Sequence, residues 1–189
     1  YIESPINAGA AAMAAGILLN ICIGSVSVSL PEIIKSLSGQ MTGEKQQTIL
    51  LQLRLPRTIL AAVLGGALAL SGYLLQTFFH NPIAGPFVLG ISSGAKMVVA
   101  LVMVFFLGRG RMVNSAGMIA AAFAGAMLSM GFVLLMSRRI RRMSMLVVSG
   151  VMIGYICSAV TELVVTFAQD ADIVNLHNWS LGSFSGTTW

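Results

Sequence analysis

Charged side chains are scarce in this chain: they make up 9% of its 189 residues, and only six are acidic. Against them stand 57% hydrophobic residues and a mean hydropathy of +0.89. So little charge cannot solvate the outside of a water-soluble domain, which excludes an ordinary globular protein and leaves an integral membrane protein. Cysteine is also rare. Cys22 and Cys157 lie in apolar stretches, with no C-x-x-C and no neighbouring ligands, so they read as small packing residues. The two histidines, His80 and His177, fall near opposite membrane faces in the topology predicted below, too far apart to share a metal or form an acid/base pair. No metal site and no catalytic constellation is expected, so the chain does not read as an enzyme. The net charge of +5 would point to nucleic acid in a soluble protein. Here the basic residues sit in loops and at span ends, as membrane proteins place them, and no nucleic-acid partner is expected.

What the chain has in abundance is long apolar runs. A bilayer core of roughly 30 Å takes about 20 apolar residues per helical span. Stretches of that kind predict spans at about 8–29, 55–79, 88–108, 114–137 and 144–168. The expected fold is an all-α integral membrane protein, a polytopic helical bundle in the lipid bilayer. The first stretch lacks the basic leader of a signal peptide and reads as a span. After it, Ser29-Leu30-Pro31-Glu32 has capping-box spacing and Gly39 supplies a stop, which predicts a short surface helix over 31–38 and a polar loop over 38–47. A chain that starts at Tyr1 without Met and stops at Trp189 soon after a completed span reads as a fragment.

The second span opens with Arg54 and Arg57 flanking Pro56, both guanidinium groups being expected at the membrane surface. Ala61, Gly65, Ala69 and Gly72 follow at i+4, i+4 and i+3, a small-residue face that predicts close approach of another helix. Pro82 and Pro86 remove backbone donors and disfavour helix at Asn81 and Gly85, so 81–86 is predicted as a tight non-helical connection. Such a break is either an ordinary turn or one of the interruptions transporters place near their pathways. Gly90 to Lys96 restarts the third span with small residues; it lacks the Gly-Lys-Ser/Thr ending of a phosphate loop, and Lys96 reads as a snorkelling residue near a span end. Gly150 and Gly154 form a GxxxG packing signal in the fifth span.

Orientation is equivocal from the residues alone. Arg138, Arg139, Arg141 and Arg142 are crowded into one short loop, whereas Lys35, Lys45, Arg54, Arg57, Arg109 and Arg111 share the other side with Glu32, Glu44, Asp170 and Asp172. Density places the arginine cluster in the cytoplasm; count favours the opposite. Asp170 and Asp172 are expected in a solvated turn. Glu162 is the one acid inside an apolar span, where an ionisable group is costly enough to mark a translocation path, unless it reaches interfacial water.

The stretch RLPRTILAAVLGGALALSGYLLQTFFHNPIAGPFVLGISSGA resembles the signature region of the FecCD-type permeases, the membrane subunits of ABC importers for ferric siderophores, haem and cobalamin. The block from Arg138 resembles that family's next diagnostic region, through the W-x-x-G-S-x-x-G-x-x-W ending at Trp179, Gly182, Ser183, Gly186 and Trp189. The resemblance implies about ten helices per subunit, of which one truncated permease domain, residues 1–189, would hold about five. It implies a multi-pass protein of the bacterial or archaeal cytoplasmic membrane, with a cytoplasmic N-terminus that puts Arg138–Arg142 inside and Arg54 and Arg57 outside. The implied partners are a second permease subunit in a homodimer or close heterodimer, two cytoplasmic ATPases that bind the ATP, and an extracytoplasmic binding protein. The subunit itself would carry no cofactor. By position, Arg54 and Arg57 match the docking arginines for the binding protein, Asn81, Pro82 and Ile83 the cytoplasmic gate, and Met143 and Ser144 the facing gate segment. The fifth helix and the segment after it match the path and outer gate, which bears on Glu162. The segment that grips the ATPases is expected beyond Trp189. Transport would run by alternating access; the competing reading is an ATP-independent secondary transporter or channel. The cargo is not legible.

Overall fold

The computed structural model describes residues 3–23, 31, 47–106, 113–140, 142–187 and 189, and every regular element among them is helical. Of the expected surface helix 31–38 only Pro31 is among the described residues, and it is helical; Ser29, residues 32–38, Gly39 and the loop residues up to 46 lie outside them. Lys35, Glu44, Lys45, Arg109, Arg111 and Arg141 lie outside them too. Among the described residues three helices are long and apolar enough to cross a bilayer, at Ile49–Phe79, Ser115–Ser137 and Met143–Thr166; Asn7–Cys22 and Ile91–Phe106 are apolar but shorter.

The chain divides into two compact units, residues 1–66 with 183–189, and residues 67–182. In the first, α1 (Glu3–Cys22) leads to a π-helical turn, Ile49–Arg54, that runs directly into α2 (Leu55–Phe79). The second span therefore begins about two turns earlier than its apolar run predicts. The cause is Pro56: its ring would press on the carbonyl of Gln52 in a regular helix, and it offers no N–H. Widening the preceding turn, so that the Leu55 N–H donates to the Leu50 carbonyl, relieves that contact.

The second unit is built around α3 (Ile91–Phe106), which packs against both α4 (Ser115–Ser137) and α5 (Met143–Thr166). Glycines permit this. A Cβ on Gly94 would strike the Ser129 Oγ, and one on Gly125 would strike the Gly94 carbonyl oxygen, so α3 and α4 cross with backbones in contact. On the other side Gly90, at φ +72°, lies against the GxxxG pair of α5: its Cβ would fall 2.7 Å from the Gly154 nitrogen and 2.8 Å from the Gly150 oxygen. Above these contacts Val99, Ala100 and Met103 of α3 bury themselves with Leu176, beside Met118, Ala122, Val164 and Val165. The two sets of contacts make α3 parallel to α5 and antiparallel to α4.

A sixth helix, α6 (Asp170–Leu181), corrects the expected solvated turn. Asp170 and Asp172 stand in its first turn, where free N–H groups favour carboxylates, and Gly182 at φ +73° ends it. Asp172, Leu176 and Trp179, spaced four and three apart, form its inward face, and Asp172 is buried rather than solvated.

The small-residue face of α2 behaves differently from the GxxxG of α5. Nothing lies within 4 Å of a Cβ built on Gly65 or Gly72, and Ala61 and Ala69 are exposed, so no described helix of this chain occupies that face. Alanine at Gly125 is expected to overpack the α3–α4 crossing and cost about 1–3 kcal/mol, read as a lowered unfolding temperature in detergent. Alanine at Gly65 should leave that temperature unchanged or raise it.

Candidate functional site

One end of the second unit gathers the predicted gate residues. α2 ends at Phe79, and an eleven-residue irregular connection from His80 to Gly90 follows, opening with His80 in the left-handed conformation (φ 49°). The Asn81 side chain accepts from the Ile83 N–H at 3.0 Å, and the Asn81 carbonyl accepts from the Ala84 N–H at 3.1 Å, so the turn carries its own polar partners. Ala84 and Leu89 are fully buried and share one cluster with Phe79, Val133, Leu146 and Val147. The connection is thereby plugged into the C-terminal part of α4 and the start of α5. Pro82, Ile83, Met143 and Ser144 are all exposed at this end, beside the exposed Arg138, Arg139 and Arg142. The structure brings the two predicted gate segments to the arginine-rich end of the unit.

The predicted docking arginines are engaged differently. Arg54 donates from Nη1 to the Ile21 carbonyl at 2.7 Å and lies 3.5 Å from the Cys22 carbonyl, so it caps the C-terminus of α1, where cations are favoured. Arg57 donates from Nη2 to the Ser185 carbonyl at 2.6 Å, and its Nε is buried without a partner. Near it, the Trp189 indole N–H donates to the Leu51 carbonyl at 2.8 Å. That acceptor is available for a reason: the Leu55 N–H is committed to Leu50, and Pro56 has none to give. Thr58, buried in the first turn of α2, places its hydroxyl 2.8 Å from both the Asn20 side-chain oxygen and the Arg54 carbonyl. The proline, the arginines and the closing tryptophan thus form one local network.

Glu162 is exposed on α5 and lines a cleft of about 220 Å³ together with Lys96 of α3, Thr161, and His177 of α6. The Thr161 hydroxyl is spent on the Cys157 carbonyl at 2.8 Å, which leaves the ammonium, the carboxylate and the imidazole as the groups available to a ligand. Sequence reasoning missed His177 because it missed α6. The signal was present: acids at 170 and 172 and a glycine at 182 are a start and a stop. His80 is not a lining residue of this cleft, and among the described residues no three His, Cys, Asp or Glu side chains are grouped to hold a metal.

The model of the FecCD transport family matches residues 12–189, a stretch that includes the proline-widened helix start, the Asn-Pro break and the glycine-locked restart. The chain belongs to the FecCD transport family. It is 35% identical over 178 residues to the vitamin B12 import system permease protein BtuC of Shigella boydii serotype 18, and equally to that of Escherichia coli O127:H6. Each match covers 94% of this chain and 51% of the relative, so the chain spans about half the length of the curated relatives it matches. A solved structure described as a metal-chelate type ABC transporter in an inward-facing conformation superposes with a TM-score of 0.75 at 26% identity, covering 94% of this chain and 52% of that one. Its apolar helices and its family make this FecCD member a multi-pass membrane protein.

Replacing Trp189 by Phe is expected to orphan the Leu51 carbonyl at a cost of about 1 kcal/mol. The same replacement should cost less in a Pro56→Ala background, where residue 56 regains an N–H. A double-mutant cycle of unfolding free energies reads the difference.

Proposed function

We propose that this chain supplies about half of one permease subunit of an ABC importer, which carries a metal chelate across the cytoplasmic membrane of a bacterium or archaeon. The observation that carries the reading is the 35% identity, held over 94% of the chain, to permeases named for vitamin B12 import. The resemblance in fold to a metal-chelate type ABC transporter supports it. Ferric siderophores, haem and cobalamin all fall within that cargo class. In this reading a second permease subunit completes the path, two cytoplasmic ATPases bind and hydrolyse ATP, and an extracytoplasmic protein delivers the cargo. The permease holds no cofactor and performs no covalent chemistry. It exchanges inward-open and outward-open arrangements whose populations the ATPases shift.

The roles follow from where the chain is stiff and where it is exposed. Ile83 and Met143 stand exposed on the arginine-rich end, which the positive-inside rule makes cytoplasmic, and gate there by closing against their counterparts in the second subunit. The turn Asn81-Pro82-Ile83 keeps its shape through that motion because its hydrogen bonds are internal. Arg57 is the docking arginine, since a carboxylate of the binding protein replaces a single carbonyl at its guanidinium. Arg54 supports it from behind by holding α1.

The test is uptake into proteoliposomes. Accumulation of cyanocobalamin or a ferric siderophore should require both the ATPase subunits and ATP. Uptake that persists without them would make this a secondary transporter instead. Arg57→Glu is expected to weaken association with the binding protein by at least ~10-fold, about 1.4 kcal/mol. Arg54→Gln should lower the unfolding temperature and leave that affinity within about 3-fold, since its partners are carbonyls of the same chain.

A further inference from the structure

Lys96 is misplaced for a membrane anchor. It is the sixth residue of α3, with ten more following to Phe106, about 15 Å of helix. Along α3 it lies between the glycine crossing at Gly94 and the buried layer of Val99 and Ala100, and it is half-buried there. An ammonium at such a depth is costly unless water, a counter-charge or a ligand meets it. Among the described residues Lys96 makes no hydrogen bond or ion pair. It does line two separate clefts. One is the small cleft shared with Glu162 and His177. The other, of about 570 Å³, is lined by Ser92 and Ser93 of α3, Ser158 of α5 and Trp179 and Ser180 of α6.

The second cleft has the chemistry of a recognition site. Its volume falls within the roughly 300–1,000 Å³ of small-molecule pockets. Ser180 spends its hydroxyl on the His177 carbonyl at 2.8 Å, but the hydroxyls of Ser92, Ser93 and Ser158 have no partner among the described residues. α3 and α5 thus converge three open hydroxyl donors and one cation, with the Trp179 ring of α6 alongside and no carboxylate in the lining. Hydroxyls and an ammonium are what anionic oxygens require, and the absence of an acid from this lining removes the repulsion they would meet on the Glu162 side.

We propose that this cleft binds the anionic oxygens of the cargo, the carboxylate, hydroxamate or catecholate groups of a metal chelate, with Lys96 as counter-ion and Ser92, Ser93 and Ser158 as donors. Glu162 and His177 belong to the neighbouring small cleft that Lys96 also lines. The assignment names the cargo chemistry of the importer proposed above and rests on that reading.

Trp179 lines the cleft, so a background in which every other tryptophan of the permease, Trp189 included, is replaced by Phe leaves Trp179 as the reporter. The experiment titrates gallium(III) citrate, a diamagnetic anionic chelate, into the intact permease in phosphatidylcholine nanodiscs, without ATPases or ATP, while following Trp179 fluorescence. Saturable binding is expected, weakened by salt. Lys96→Gln should raise the dissociation constant by at least ~10-fold, Lys96→Arg by less than ~3-fold, and Ser158→Ala by an intermediate factor. Absence of a chelate-dependent signal, or equal affinity in Lys96→Gln, would overturn the site while leaving ATP-driven uptake to be judged by its own assay. A Trp179 signal that follows added phosphatidylglycerol and ignores the chelate would overturn it too, and make the cleft a lipid-headgroup site.

Discussion

Backbone contact between α3 and its two neighbours is the constraint on which the second unit depends. Gly94 and Gly125 let α3 and α4 touch, and Gly90 enters the groove between Gly150 and Gly154 on α5. Within a bilayer, helices gain little from burying apolar side chains, because lipid tails are equally apolar, and close packing has to come from small residues. Every substitution at these glycines adds a Cβ where another backbone already sits. The crossing also fixes the phase of α3: with Gly94 facing α4 and Gly90 facing α5, Lys96, Ser92 and Ser93 are turned toward the clefts bounded by α5 and α6.

Two departures from regular helix are tolerated because each carries its own hydrogen-bond partners. The connection from His80 to Gly90 uses the Asn81 side chain and carbonyl, and drives Ala84 and Leu89 into the core. The π-helical turn before Pro56 leaves the Leu51 carbonyl to the Trp189 indole. A carbonyl left without a partner away from water costs about 1–3 kcal/mol, so irregular backbone persists where such partners exist. Both irregularities flank α2, whose middle is exposed on all sides within this chain.

Signals that act locally were legible in the sequence. Pro82 and Pro86 break the helix where they stand, and the apolar runs that locate α2, α4 and α5 need no partner to be read. Signals that depend on a distant partner were not. The GxxxG of Gly150 and Gly154 and the small face of Gly65 and Gly72 look alike as spacing, yet only the first meets another backbone here, because Gly90 happens to adopt a positive φ opposite it. The hold of Arg54 on the Ile21 carbonyl was not legible either, because that acceptor lies 33 residues earlier in the chain. Helix α6 was hidden by its polar composition, and with it the convergence of Glu162, His177 and Lys96.

The measurement that tests the glycine-packed junction most directly uses the one thiol already inside it. Cys157 on α5 lies 3.7 Å from the Ser129 hydroxyl on α4, the same hydroxyl that a Cβ on Gly94 would strike. A Ser129→Cys variant, made with Cys22→Ser, is oxidised in the membrane and cut with trypsin at the exposed Arg138 and Arg139. The peptides carrying residues 129 and 157 should stay joined on a non-reducing gel and separate on reduction. Separation without reductant, in a variant that keeps the parent's unfolding temperature, would contradict this arrangement of α3, α4 and α5.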